Sequence, residues 1–489
     1  MRKTPAQRIR VRHSSLALFA LEFTCLQLAK FHKTSYSTEH IFYDCRSLFM
    51  FCGVIIRVLS VIIFCVLSIN SFAENRIDTL RTDAPELAAY GQYTIGVKTL
   101  EIIHPQQLDI AKIDTAKLTS LPKYDRPLTL EAWYPALQDS QGDTTLYVYL
   151  RDGKTKVNIQ GKAIRDAKPL NNKQKFPLVI ISHGYPGNRY LMSHLAENIA
   201  SKGYVVVSID HTDSTYRNQA AFGSTLLNRP LDQLFTLDQI ELISKDNSSF
   251  LYDLVDTQNT ALIGYSMGGY GAVISAGGSV TQKAVDFPWG LPEKALGIYQ
   301  NINEKQKLPD PRLKTVIAFA PWGMNYGVWD QSTLKGVKVP MFFVAGSVDD
   351  VSGYEKGVRA IWQGTTNVDR ALLTFDNANH GAGAPMPAPD ESNIYDEALG
   401  FNISEHYIDA VWDTVRMNNI SQHFVTAWLE KHLKDNADMD NYLDLEPNSN
   451  NGVWSKDEKG HPKADHNHWA GFKKRTAKGL RFETLAKGE

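Results

Sequence analysis

An α/β fold is predicted, with a mostly parallel central sheet, helices on both of its faces and lid-like insertions. Three observations carry this. Six short, continuously apolar runs (177–182, 204–209, 260–264, 316–320, 339–345 and 371–375) recur along the middle of the chain. Strands this uniformly apolar are covered on both faces, which is the habit of parallel sheets. Segments such as 191–202 and 404–434 lie between or beyond these runs and have helical spacing, with Ile408, Trp412, Val415, Phe424 and Trp428 on the expected core face of the second. Finally, 93–103 and 128–133 alternate partially and are separated by Pro, Lys and Asp turn residues, so the sheet should begin with antiparallel strands and be mixed. A further edge strand is expected at 146–150.

Composition agrees with a globular enzyme. The 489 residues are 43% hydrophobic and 21% charged, which disfavours disorder and a multi-span membrane protein. Its 52 basic and 53 acidic side chains give no electrostatic reason to bind nucleic acid. All four cysteines (Cys25, Cys45, Cys52, Cys65) fall ahead of Glu74, so the remainder has no disulfide framework and no cysteine nucleophile.

The first 73 residues read as a separate object. Arg57, the apolar run 58–69 and the small residues Ser71 and Ala73 make an export signal spanning 50–73 and cleaved after Ala73. A membrane anchor is the alternative, disfavoured by the cost of Arg57 inside it, roughly 2.5–3.5 kcal/mol. The expected partition is an upstream extension over 1–49, the signal over 50–73, one domain over 74–434, and a tail over 435–489 that packs on the domain or is flexible. Contact with a membrane is expected only through the signal. Within the domain, 212–258 and 279–312 are longer than simple connections and are expected to form lids or binding loops.

The chemistry is concentrated at the ends of the apolar runs. Gly264-Tyr265-Ser266-Met267-Gly268 follows one run and precedes a small-residue segment. A G-x-S-x-G turn between strand and helix exposes its serine as a nucleophile. Acyl transfer also needs N–H donors for the oxyanion, one of them outside that turn. Tyr185, in Ser182-His183-Gly184-Tyr185-Pro186-Gly187, and Met267 are the candidates, since Pro186 has no N–H. His183 is expected to bond its own loop rather than act as a base. The acid and base should follow the serine in the chain. Asp349 in Gly346-Ser347-Val348-Asp349-Asp350 is the orienting carboxylate, with Asp350 as the alternative, and His380 in Asn379-His380-Gly381 is the base. Other histidines are weaker: His406, His423 and His432 fall on the expected helix, and His461, His466 and His468 in the tail make at most a poor metal cluster.

These motifs, with Glu131-Ala-Trp-Tyr-Pro135, 200–206 and Asp210-His211, resemble the secreted α/β-hydrolases of the platelet-activating-factor acetylhydrolase and predicted dienelactone hydrolase group. The resemblance spans about 91–434. It implies an α/β-hydrolase fold and serine ester hydrolysis by Ser266, Asp349 and His380, with Tyr185 and Met267 binding the oxyanion. Dienelactone hydrolases use cysteine, and here the residue is serine. The sequence is also similar to cutinase-like polyester hydrolases, in Gly264–Gly268 and in Ala320-Pro321-Trp322, where Trp322 could offer a flat apolar wall to substrate. The expected activity is cleavage of short-chain acyl esters or phospholipid acetyl esters, with polyester or lipase activity as the alternative, and no metal or organic cofactor is required. A serine peptidase and a catalytically dead binding protein are the remaining readings.

Overall fold

The computed structural model describes residues 74–113, 121–171, 173–219, 221–300 and 308–489. The expected signal and upstream extension lie outside them.

Among the described residues, ten strands form the main sheet: β1 (Thr94–Leu108), β2 (Lys123–Ala136), β3 (Ile164–Arg165), β4 (Phe176–Ser182), β5 (Val205–Asp210), β6 (Val255–Tyr265), β7 (Leu313–Phe319), β8 (Met341–Gly346), β9 (Arg370–Phe375) and β10 (Leu480–Leu485). Their order across the sheet is β10-β9-β8-β7-β6-β4-β5-β2-β1-β3. The six apolar runs are the six consecutive parallel strands from β5 to β9, joined side by side. β2 and β10 flank them in antiparallel pairing. This is an α/β-hydrolase fold.

Alternation along each strand splits the interior into two layers. Val179 and Ile181 of β4, with Phe342 and Val344 of β8, face α1 (Ser193–Ala200) and the later α5 (Thr414–Lys434). Leu178, Ile180, Met341 and Phe343 face α2 (Phe222–Lys245), α3 (Met267–Ser275) and α4 (Arg359–Gly364). Burial on both faces explains why these strands lack an apolar–polar alternation in sequence.

Three expectations change, and the tail takes the packed one of its two expected courses. The segment 212–258 is not a lid: it contains α2, the helix that crosses from β5 to β6. The segment expected as one helix over 404–434 is an α-helix only from Thr414, where the Asp413 carboxylate caps it by accepting from Arg416 N–H at 2.7 Å; ahead of it lies only a short 3-10 turn, Ile403–His406. Ile408 thus lies outside the helix and is 50% exposed, whereas Phe424 and Trp428 are buried. The 145–149 strand pairs with 156–160 in a separate two-stranded sheet and does not extend the main one. The tail contributes β10, whose Phe482 stacks on Phe424 at 4.9 Å and 14°.

Candidate active site

At the end of β6 the chain turns sharply. Ser266 has φ +53° and ψ −111°, a conformation that L side chains avoid and that costs about 1–3 kcal/mol. Its backbone is pinned on both sides: its N–H donates to Phe319 O at 2.9 Å, and its carbonyl accepts from Tyr270 N–H at 2.9 Å and Trp322 N–H at 3.1 Å. The flanking glycines leave no room for anything larger. A Cβ on Gly264 would lie 2.2 Å from Gly268 O, and one on Gly268 would lie 1.9 Å from Ser182 O. The turn therefore packs directly on the end of β4.

Ser266 Oγ lies 3.0 Å from His380 Nε2, and His380 Nδ1 lies 3.0 Å from each Asp349 oxygen. Burial works to raise the Asp349 carboxyl, but the His380 hydrogen bond and charge and the N–H groups of Ser352 and Val351 outweigh it and hold the acid below its ordinary value. An ionised carboxylate can only accept, so the proton sits on Nδ1 and Nε2 is left to accept from the serine. Asp350 is exposed and contributes only its N–H, to Asn379 Oδ1. The structure thus brings Ser266, His380 and Asp349 together and leaves Asp350 outside.

Gly184 sets Tyr185 beside this turn, since a Cβ on Gly184 would meet Ser266 Cβ at 3.3 Å. Met267 is the first residue of α3, where a helix leaves its N–H groups without intrahelical acceptors. Among the described residues, neither the Tyr185 nor the Met267 N–H bonds another backbone group. His183 is buried, with Nδ1 2.6 Å from Gly184 O, and its Nε2 accepts from His211 N–H at 3.3 Å. Burial pushes its imidazole well below the ordinary value.

Trp322 follows β7 and joins an aromatic group that includes Phe222 (5.6 Å), Trp289 (6.0 Å) and Tyr326 (4.5 Å, stacked). Tyr185 packs on Phe222 at 5.3 Å. Trp322 itself is buried, at 7% exposure, and the aromatic group reaches solvent through Tyr326, 49% exposed, and Phe287, 53% exposed against Trp289.

A second Ser–His–Asp line was not anticipated. Ser182 Oγ is 2.9 Å from His211 Nε2, and His211 Nδ1 is 2.9 Å from Asp232 Oδ2. All three are buried, and Arg126 clamps Asp232 at 2.9 and 3.0 Å. No substrate can reach this serine; the line ties β4, β5 and α2 together. Only Asp210-His211 hinted at it in the sequence. Asp232 and its neighbours Arg229 and Gln233 gave no signal, because buried polar side chains blur the apolar stripe of α2. Among the described residues, no group of three or more His, Cys, Asp or Glu could hold a metal ion, and no helix is long and apolar enough to cross a membrane.

Fold and site together define the class: an α/β-hydrolase-fold protein with a serine, histidine and aspartate in hydrogen-bonded line at the carboxyl edge of its parallel strands. Residues 163–296, which hold both the Ser182–Gly187 loop and the serine turn, match the family described as PETase, PET hydrolase-like. The chain is 27% identical to Cutinase 2 of Thermobifida cellulosilytica over 205 residues, 42% of this chain and 60% of that protein. It is also 27% identical to Cutinase cut1 of Thermobifida fusca over 205 residues, 49% of that protein. It thus spans about half to three-fifths of these relatives' length. Platelet-activating factor acetylhydrolase of Cavia porcellus matches at 28% over only 129 residues, 26% of this chain and 28% of that protein. A solved ferulic acid esterase from Streptomyces cinnamoneus aligns with a TM-score of 0.48 at 18% identity, over 74% of this chain and 94% of its own. The acetylhydrolase and dienelactone hydrolase resemblance is therefore corrected: the stronger similarity is to cutinases and PET hydrolases. The serine turn carried both resemblances in the sequence and could not separate them.

Proposed function

We propose that this protein is an exported serine esterase that cleaves polyesters or related esters with a bulky or aromatic acyl group. The observation that carries the reading is the Ser266–His380–Asp349 line, flanked by the Tyr185–Phe222–Trp322–Tyr326 aromatic surface. The similarity to cutinases supports the polyester reading over short acetyl esters. The signal-like 50–73 segment supports export.

In this mechanism His380 Nε2 takes the Ser266 proton as Oγ forms a bond to the ester carbonyl carbon. The carbonyl electron pair moves to oxygen, and that oxyanion is bound by the Tyr185 and Met267 N–H groups. When the pair returns, the bond to the alcohol oxygen breaks and His380 delivers the proton to it. A water molecule then repeats both steps and frees the acid. Asp349 stays ionised throughout, fixing the imidazole tautomer and balancing the imidazolium.

The test is a panel of soluble esters graded by acyl length, with a phospholipid, an aliphatic polyester and an aromatic polyester included. Turnover of the polyesters and aromatic esters, lost in Ser266→Ala, is expected. Turnover confined to acetyl esters or phospholipid would refute the substrate assignment, and an active Ser266→Ala would refute the nucleophile.

A further inference from the structure

Arg229 is a buried cation that the esterase mechanism above does not use. It sits on α2 with 1% of its surface exposed, and among the described residues it forms no ion pair. The nearest candidate, Asp232, lies one turn on and is already held by Arg126 and His211. Burial pulls the Arg229 guanidinium down from its ordinary value, and the Asp232 charge only partly offsets this. A buried charge without a hydrogen-bonded carboxylate is costly, by several kcal/mol on general grounds. What Arg229 does bond is specific. Nη1 donates to His183 O, and Nη2 donates to Ser214 Oγ and, at 3.4 Å, to Gly184 O.

The Gly184 carbonyl and the Tyr185 N–H are opposite ends of one planar peptide unit. The Gly184 carbonyl accepts from His183 Nδ1 at 2.6 Å and, more weakly, from Arg229 Nη2, so the cation works alongside the imidazole to fix where the N–H points and to polarise it toward stronger donation. The preceding peptide is held through His183 O in the same way. Gln233, on the same face of α2, bridges Ser182 Oγ and Gly268 O at 3.0 Å each, so the loop and the serine turn keep a fixed separation.

We propose that Arg229 is a positioning residue for ester hydrolysis: from behind the Gly184–Tyr185 peptide it orients and polarises the Tyr185 N–H toward the oxyanion. This rests on the esterase reading above. Its energetic contribution should appear when charge develops on the carbonyl oxygen, and little of it when substrate merely binds.

The experiment compares wild type, Arg229→Lys and Arg229→Met in hydrolysis of a soluble nitrophenyl ester and in inhibition by a trifluoromethyl ketone, which forms an oxyanion on Ser266. For Arg229→Met, kcat should fall by about 10-fold, less than the roughly 10²-fold of deleting an oxyanion donor outright, because the Tyr185 N–H remains and His183 Nδ1 still holds Gly184 O. KM should stay within about twofold, as expected when only transition-state binding is lost. The ketone inhibition constant should rise by the same factor as kcat/KM falls. Arg229→Lys, which keeps the charge but not the fork, should lie between the two, and it decides the comparison if the methionine variant does not fold. A folded variant with unchanged ketone affinity, or with losses only in thermal stability or KM, would overturn the proposal. Wild-type protein that turns over no ester would instead remove the esterase reading itself.

Discussion

Ser266 occupies a backbone conformation that costs free energy, and the structure keeps it with three backbone hydrogen bonds and two glycines. Such strain is worth its cost only where a side chain must project from a crowded turn. The three aligned residues were legible because each follows an apolar strand, and strand ends are where open parallel sheets bind ligands. Choosing Asp349 over Asp350 was less secure in sequence. Burial decides it, since only Asp349 is enclosed and accepts from Val351 and Ser352 N–H at 2.9 and 2.8 Å. Asp349→Asn is therefore expected to lower kcat on the order of 10⁴-fold by favouring the wrong tautomer. Asp350→Ala should retain most activity, and steady-state kinetics on one soluble ester measures both. Trp322→Ala should discriminate between substrates, losing aromatic esters more than acetyl esters in the same assay.

At the scale of elements, the parallel strands could be read from composition and α2 could not. Fourteen of its residues are buried, and they include Asn228, Arg229, Asp232, Gln233 and Thr236. A helix whose buried face is largely polar has no continuous apolar stripe to detect, and that face is explained by its partners: Arg126 and His211 on Asp232, Ser182 and Gly268 on Gln233, and the His183 and Gly184 carbonyls on Arg229. Close approach between elements is just as demanding. The Gly268 Cα stands where a Cβ would strike the Ser182 carbonyl, so Gly268→Ala should separate the serine turn from β4. Loss of esterase activity is expected, with soluble protein either unstable or folded and inactive; an active variant would contradict the packing described. The tail was ambiguous for another reason. β10 is only six residues long, and its Phe482 is buried against Phe424, Phe342 and Trp469. Phe482→Ala should destabilise by about 3–5 kcal/mol, measured by denaturant unfolding.

Across the whole molecule, buried ionisable groups make stability depend on pH. Burial pushes His194, His211 and His423 down to about 3, helped at His211 by the Arg229 charge and at His423 by Lys202. Between pH 3 and their unfolded value of 6.5, each binds a proton only in the unfolded chain. Their contribution is thus complete above pH 6.5 and is lost as pH falls through that window. Glu197 runs the opposite way, because burial raises its carboxyl to about 7 and the folded state holds the extra proton above pH 4.5. His406 is held at about 3 by burial as well, and burial raises Asp210 as it raises Glu197, so four histidines outweigh two carboxyls and the thermal midpoint should be lower at pH 5 than at pH 7.5; an unchanged or higher midpoint at pH 5 would contradict this account of the core. Among the described residues two Ser–His–Asp lines exist; Ser182, His211 and Asp232 are fully enclosed, whereas His380 of the other line is part-exposed and leaves its serine open to substrate. The direct measurement is a fluorophosphonate probe followed by peptide mapping of the adduct. One adduct on Ser266, absent in Ser266→Ala and in His380→Ala, is the expected result. An adduct on Ser182, or none on folded protein, would contradict the central claim that Ser266 is the nucleophile.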